Sequence, residues 1–164
     1  MKYLHLAICF IMLSKVADSQ NNAQVFLVSY DDVPIYQTNK CDDVVMYVHN
    51  DSTNESYYIF DILCIDHEMA YVSGFDIISN RKASGWINKE MLGLYLTMDD
   101  TILLYKRPFG KLKKDVIAYP QRIPVSIIDV SNNWLKVLYD DSLQRSCGWL
   151  PKRYQCANPY TICN

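Results

Sequence analysis

Short apolar runs alternate with clusters of turn-forming residues along the whole chain, and almost nowhere does the apolar spacing follow a helical period. β-branched, aromatic and aliphatic residues fill the runs 25–30, 33–36, 44–48, 57–65 and 69–78, and Gly85-Trp86-Ile87 closes the series. Between them stand Asp31-Asp32, the polar loops 38–43 and 49–56, the tight turn Asp66-His67-Glu68 and the basic turn 80–84. The alternation then starts again. Runs 92–95, 102–105, 116–119, 125–130, 134–139 and 148–150 are separated by Asp99-Asp100, the loop 106–114, Ser131-Asn132-Asn133 and Asp140-Asp141-Ser142. Runs of this length bounded by turn chemistry predict strands, so the expected fold class is all-β. Pro34 marks an edge or a bend, and Gly74 a kink within its strand.

The two series are copies. Gly85-Trp86 and Gly148-Trp149 lie 63 positions apart (149 − 86 = 63). Residues 33–36 match 102–105, and 62–72 match 127–137, which aligns turn with turn and Val72 with Val137. A gapless shift would set Tyr71 against Trp134 instead. The preferred register makes the next hairpin two residues longer in the first copy. A repeat this short is too small for a sandwich of two full sheets and suits a small barrel. No Pro/Ser-rich spacer separates the copies, so they are expected to pack against each other rather than swing.

The first residues stand apart. Met1-Lys2 is a short positive start, the stretch 4–13 is apolar except for His5, and Ala17 and Ser19 are small. This pattern predicts a secretory signal peptide over 1–19, cleaved after Ser19, and hence export to the periplasm or beyond. The apolar stretch is far shorter than the ~20 residues that span a bilayer, so no integral membrane segment is expected after cleavage. The resulting layout is a signal peptide (1–19), a first unit (20–92), a second unit (93–155) and a tail (156–164). Cleavage leaves Cys41, Cys64, Cys147, Cys156 and Cys163, an odd number. Cys156 and Cys163 flank a turn-forming tail and are expected to close it as a disulfide. Cys64 sits among apolar neighbours and reads as a core thiol. Cys41 and Cys147 stay unassigned.

Composition narrows the function classes. Half the 164 residues are apolar and 21% are charged, which is a globular balance. A net charge of −2 lacks the basic excess of a nucleic-acid binder. Cys64 and His67 have C-x-x-H spacing, but no second ligand pair follows, so no metal and no cofactor is expected. No helix start offers a thiol with a histidine in reach, and no Gly-rich phosphate loop occurs, so an enzyme is not expected.

Trp134-Leu135-Lys136-Val137, a polar hairpin, and then Gly148-Trp149-Leu150-Pro151-Lys152-Arg153-Tyr154 together resemble an SH3 domain. The two-unit exported form is similar to bacterial SH3-like (SH3b) proteins. The resemblance implies two tandem small SH3-like β-barrels that bind cell-wall or peptide ligands without catalysis. It also implies a groove. Matched by motif, the groove residues are Trp134, Pro151, Tyr154 and Tyr105, while Trp86 and Trp149 read as structural. Lys136 shares a strand face with Trp134, opposite Leu135, Val137 and Tyr139, so Trp134 is expected to be at least half exposed. Where peptide-binding SH3 domains carry acidic residues, this chain has Lys106, Arg107, Lys111, Lys113 and Lys114, which favours an anionic ligand. In the first unit Asn88, Met91 and Met69 stand in place of Pro151, Tyr154 and Trp134, so that groove is expected to be degenerate. The expected function is non-catalytic recognition of a peptidoglycan or peptide ligand in the cell envelope. The alternatives are a structural partner of another envelope protein and, last, a small hydrolase.

Overall fold

The computed structural model describes residues 22–160 and 163. The expected signal peptide lies outside them. The strands are β1 (Ala23–Leu27), β2 (Val33–Tyr36), β3 (Val44–Val48), β4 (Tyr58–Asp66), β5 (Met69–Asp76), β6 (Lys82–Asn88), β7 (Leu92–Leu96), β8 (Thr101–Tyr105), β9 (Lys113–Ala118), β10 (Val125–Ser131), β11 (Trp134–Asp140), β12 (Arg145–Leu150) and β13 (Gln155–Cys156). Two 3-10 turns, Lys89–Met91 and Lys152–Tyr154, precede β7 and β13. All strand pairs among the described residues are antiparallel, so the all-β class is as expected.

The hydrogen-bonded path runs β3-β2-β6-β5-β4-β1-β7-β10-β11-β12-β8-β9, with β13 attached to β7. This corrects the expectation of closed barrels. The path is open, with β3 at one end and β9 at the other. Closure would require β3 and β9 each to bond a second strand. β2 touches β6 through the single register pair Tyr36↔Trp86, and β8 touches β12 through Tyr105↔Trp149. Beyond those pairs, β3 and β9 bond only to their own hairpin partners among the described strands.

The two halves have one strand order, with β7 standing where β1 stands, β8 for β2, and so on to β12 for β6. The expected register is present in detail. β4 bulges between Ile62 and Cys64, and β10 between Ile127 and Asp129. The hairpins that follow close on Asp66↔Met69 and Ser131↔Trp134. His67 (φ 54°) and Asn132 (φ 52°) take the same left-handed position in them, a conformation that tight hairpins demand. The next hairpins close on Phe75↔Lys82 and Asp140↔Arg145, so the first encloses two more residues, as expected. Gly74 pairs with Phe60 without a shift, so the irregularity belongs to Leu63 of β4 and not to Gly74.

β7 is the seam. Gly93 pairs with Phe26 of β1 and also with Ser126 of β10. Further along, Tyr95 and Leu96 pair with Cys156 and Gln155 of β13. The halves are therefore not merely packed together; they share a strand. One apolar cluster runs through both, including Leu27, Phe60, Leu94, Leu135 and Leu150, none of which reaches solvent appreciably. Each such side chain contributes about 1.5–3 kcal/mol by leaving water, so neither half has a core independent of the other.

Cys156 and Cys163 form the expected disulfide, with Cα atoms 5.5 Å apart. Cys64 differs from expectation. It is disulfide-bonded, not a free core thiol. Cys41 and Cys147 are free, and Cys41 is exposed. Among the described residues no helix is long and apolar enough to cross a membrane.

Candidate functional site

Trp134 is the first residue of β11, placed by the hairpin that His67 and Asn132 mark out in the two halves. Strand alternation buries Leu135, Val137 and Tyr139 and turns Trp134 and Lys136 to the other face. On that face the Tyr105 ring meets Trp134 edge-on, with centroids 5.4 Å apart and planes at 82°. Phe109 leans on the indole from the other hairpin at 5.6 Å. These two rings cover part of Trp134, which is partly buried and not half exposed as expected. Edge-to-face and tilted contacts of this kind add roughly 0.5–1.5 kcal/mol per pair beyond the area they bury.

Arg153 ties the cluster to the chain terminus. Its guanidinium lies over the Tyr154 ring, 4.6 Å from the centroid, and donates to the Tyr105 hydroxyl at 3.0 Å. Hydrogen bonding to Tyr154 and then to Tyr105 raises the Arg153 pKa, so the cation is fixed. The 3-10 turn at Lys152–Tyr154 makes this possible by bringing Arg153 back over the β8 end. Pro151 starts that turn and accepts the Tyr154 N–H at 3.0 Å. It is buried, so Pro151 offers no open face to a ligand. Tyr154 packs partly against the core. Lys136 stands two residues along the Trp134 face.

Of the five expected groove residues, Trp134 and Tyr105 are in contact, Tyr154 joins them through Arg153, Lys136 shares the Trp134 face, and Pro151 is buried. Sequence reasoning missed Phe109 and Arg153. Phe109 is 62% exposed and holds a left-handed φ of 56°, which is unfavourable for a bulky side chain. Its only sequence signal is a lone aromatic between Pro108 and Gly110 in a basic loop. The rim is cationic: Lys106, Arg107, Lys111, Lys113 and Lys114 are all exposed. The equivalent place in the first half holds Met69, which is buried, with the Cys41 thiol 3.7 Å from its sulfur. Two residues along β5 from Met69, Tyr71 meets Trp86 edge-on with ring centroids 5.4 Å apart.

The first half has a different feature, a polar cavity of about 290 Å3 lined by His49, Asp51, Tyr58, Asp76 and Arg81, among others. Asp76 is its buried carboxylate. It accepts from the Ser56 and Ser79 hydroxyls and from the backbone N–H groups of Ile78 and Ser79. Burial pushes its pKa up, but these hydrogen bonds outweigh burial and hold it below the ordinary 3.8. A depressed carboxyl stabilises the fold above its unfolded pKa and loses that contribution as pH falls through the folded value. Asp76→Asn is therefore expected to destabilise the chain near neutral pH, with the gap from wild type narrowing below about pH 4. Urea midpoints of both proteins across the acid range check this; a gap independent of pH would contradict it.

No family model, no curated protein and no solved structure matches the chain.

Proposed function

We propose that the chain is a non-catalytic binding module of the cell envelope. In this reading the chain is exported, its halves are tandem SH3-like units joined along a shared strand, and the second half takes an anionic cell-wall fragment or acidic peptide. The observation that carries the reading is the cluster of Tyr105, Trp134 and Phe109 fixed by Arg153 under a cationic rim. Flat aromatic faces stack on sugar rings or extended peptides, while the lysines attract carboxylates. The repeated strand order and the 3-10 turn after β6 and after β12 support the SH3-like reading. A disulfide at Cys156–Cys163 suits an oxidising compartment.

The test is sedimentation with insoluble peptidoglycan. Wild type is expected to pellet with it, and Trp134→Ala to bind about 30-fold more weakly, the loss of a hot-spot aromatic worth about 2 kcal/mol. Equal retention of the two proteins would overturn the proposal. Acidic-peptide titration followed by Trp fluorescence distinguishes the peptide from the glycan.

A further inference from the structure

The open sheet has two free ends, and they differ in character. β3 bonds to β2 alone and β9 to β8 alone among the described strands. β3 carries no charge within Val44–Val48, and Val45 and Tyr47 are 55% and 53% exposed. An apolar unpaired edge is a template for another strand unless something blunts it. Here charge does so selectively. Asp42 and Asp43 lead into β3, both exposed, and Asp32 bonds His49 at 2.9 Å just past its end. β9 opens on Lys113 and Lys114, with Lys111 before them, also exposed, and Val116 further along is exposed as well.

Two like edges gain nothing from these charges. Paired parallel, two β3 edges would bring aspartates together and two β9 edges lysines together; paired antiparallel, each doublet would lie against the far end of its partner strand, where the opposite doublet is absent. Only β3 against β9 sets Asp42-Asp43 against Lys113-Lys114, which a parallel alignment does because each doublet stands at the start of its strand. We propose that copies of this chain associate head to tail, the β3 edge of one adding to the β9 edge of the next. Such a contact is heterologous, so it propagates the sheet from copy to copy instead of closing a two-fold dimer. It occupies sheet ends; Lys113 and Lys114 also belong to the cationic rim of the proposed ligand site, whereas Asp42 and Asp43 do not, so the aspartate swap tests this contact apart from that reading.

Sedimentation velocity on the full chain tests this with two charge swaps. Asp42→Lys with Asp43→Lys makes both edges basic; Lys113→Glu with Lys114→Glu makes both acidic. Wild type is expected to form oligomers that grow with protein concentration and weaken as salt shortens the screening length from about 10 Å to about 3 Å. Each double variant alone is expected to associate at least about tenfold more weakly, and an equimolar mixture to recover association, because one basic edge then meets one acidic edge. Recovery on mixing also shows that both variants are folded. A wild type that stays monomeric at low salt, or variants that associate as well alone as mixed, would overturn the proposal.

Discussion

Gly74→Ala is expected to cost the fold about 3 kcal/mol or more, at or beyond the upper end of ordinary overpacking. β5 crosses β4 so closely that a Cβ at position 74 would lie 1.9 Å from the Ile59 carbonyl oxygen and 2.8 Å from the Phe60 Cα. Both obstacles are backbone, so no side-chain rotation relieves the clash. Phe60, whose ring is fully buried, is the register partner of Gly74. Relief requires separating β4 from β5 around that pair, which breaks ladder bonds and lifts a core aromatic. The shared apolar cluster carries the damage into the second half, so unfolding should remain a single transition at a lower urea midpoint. Unchanged slope with a fallen midpoint identifies lost stability, not a changed unfolded state. An unchanged midpoint would mean that the two strands do not approach this closely.

Much of this was legible in the sequence because strand alternation and turn chemistry are local signals. The copies align turn on turn, which is why the Leu63 and Ile128 bulges and the unequal hairpins match the expected register. The shared strand was not legible. Leu92–Leu96 reads as one apolar run whether it has one neighbour or several, since pairing partners far along the chain leave no local trace. The open path was hidden for the same reason. A repeat length fixes how many strands each half has, but closure depends on whether β3 and β9 reach a second partner. At the site, motif position pointed to Trp134, Tyr105 and Tyr154, which ring contact and Arg153 bring together. It could not foresee that Pro151 would be buried or that Arg153 would be the linking cation, because both follow from the 3-10 turn at Lys152–Tyr154. The apolar neighbours of Cys64 likewise say nothing about whether its sulfur is bonded.

The polar loop 49–56 conceals a residue as structural as any in the core. Asn50 is only 7% exposed, and its three polar groups join separate segments. Its backbone N–H donates to the Ser29 carbonyl at 3.2 Å. Its side-chain nitrogen donates to the Leu27 carbonyl at 2.6 Å, and its Oδ1 accepts the Tyr58 N–H at 3.2 Å. The side chain thus clamps the end of β1 to the start of β4. Asn50→Leu keeps the branched shape but strands a buried carbonyl and a buried N–H, each at about 1–3 kcal/mol, so a total loss of roughly 2–6 kcal/mol is expected. Asn50→Asp separates hydrogen bonding from packing. Its carboxylate still accepts from Tyr58 but faces the Leu27 carbonyl with no proton to give, so the variant is destabilised at neutral pH. Burial and that carbonyl raise the carboxyl's folded pKa, and a raised pKa stabilises the fold below it. The protonated acid can then donate to Leu27, so the deficit relative to wild type should shrink as pH falls toward 5, about one unit above the ordinary carboxyl value. A deficit that stays constant with pH, or an Asn50→Leu protein as stable as wild type, would show that the clamp does not hold β1 to β4.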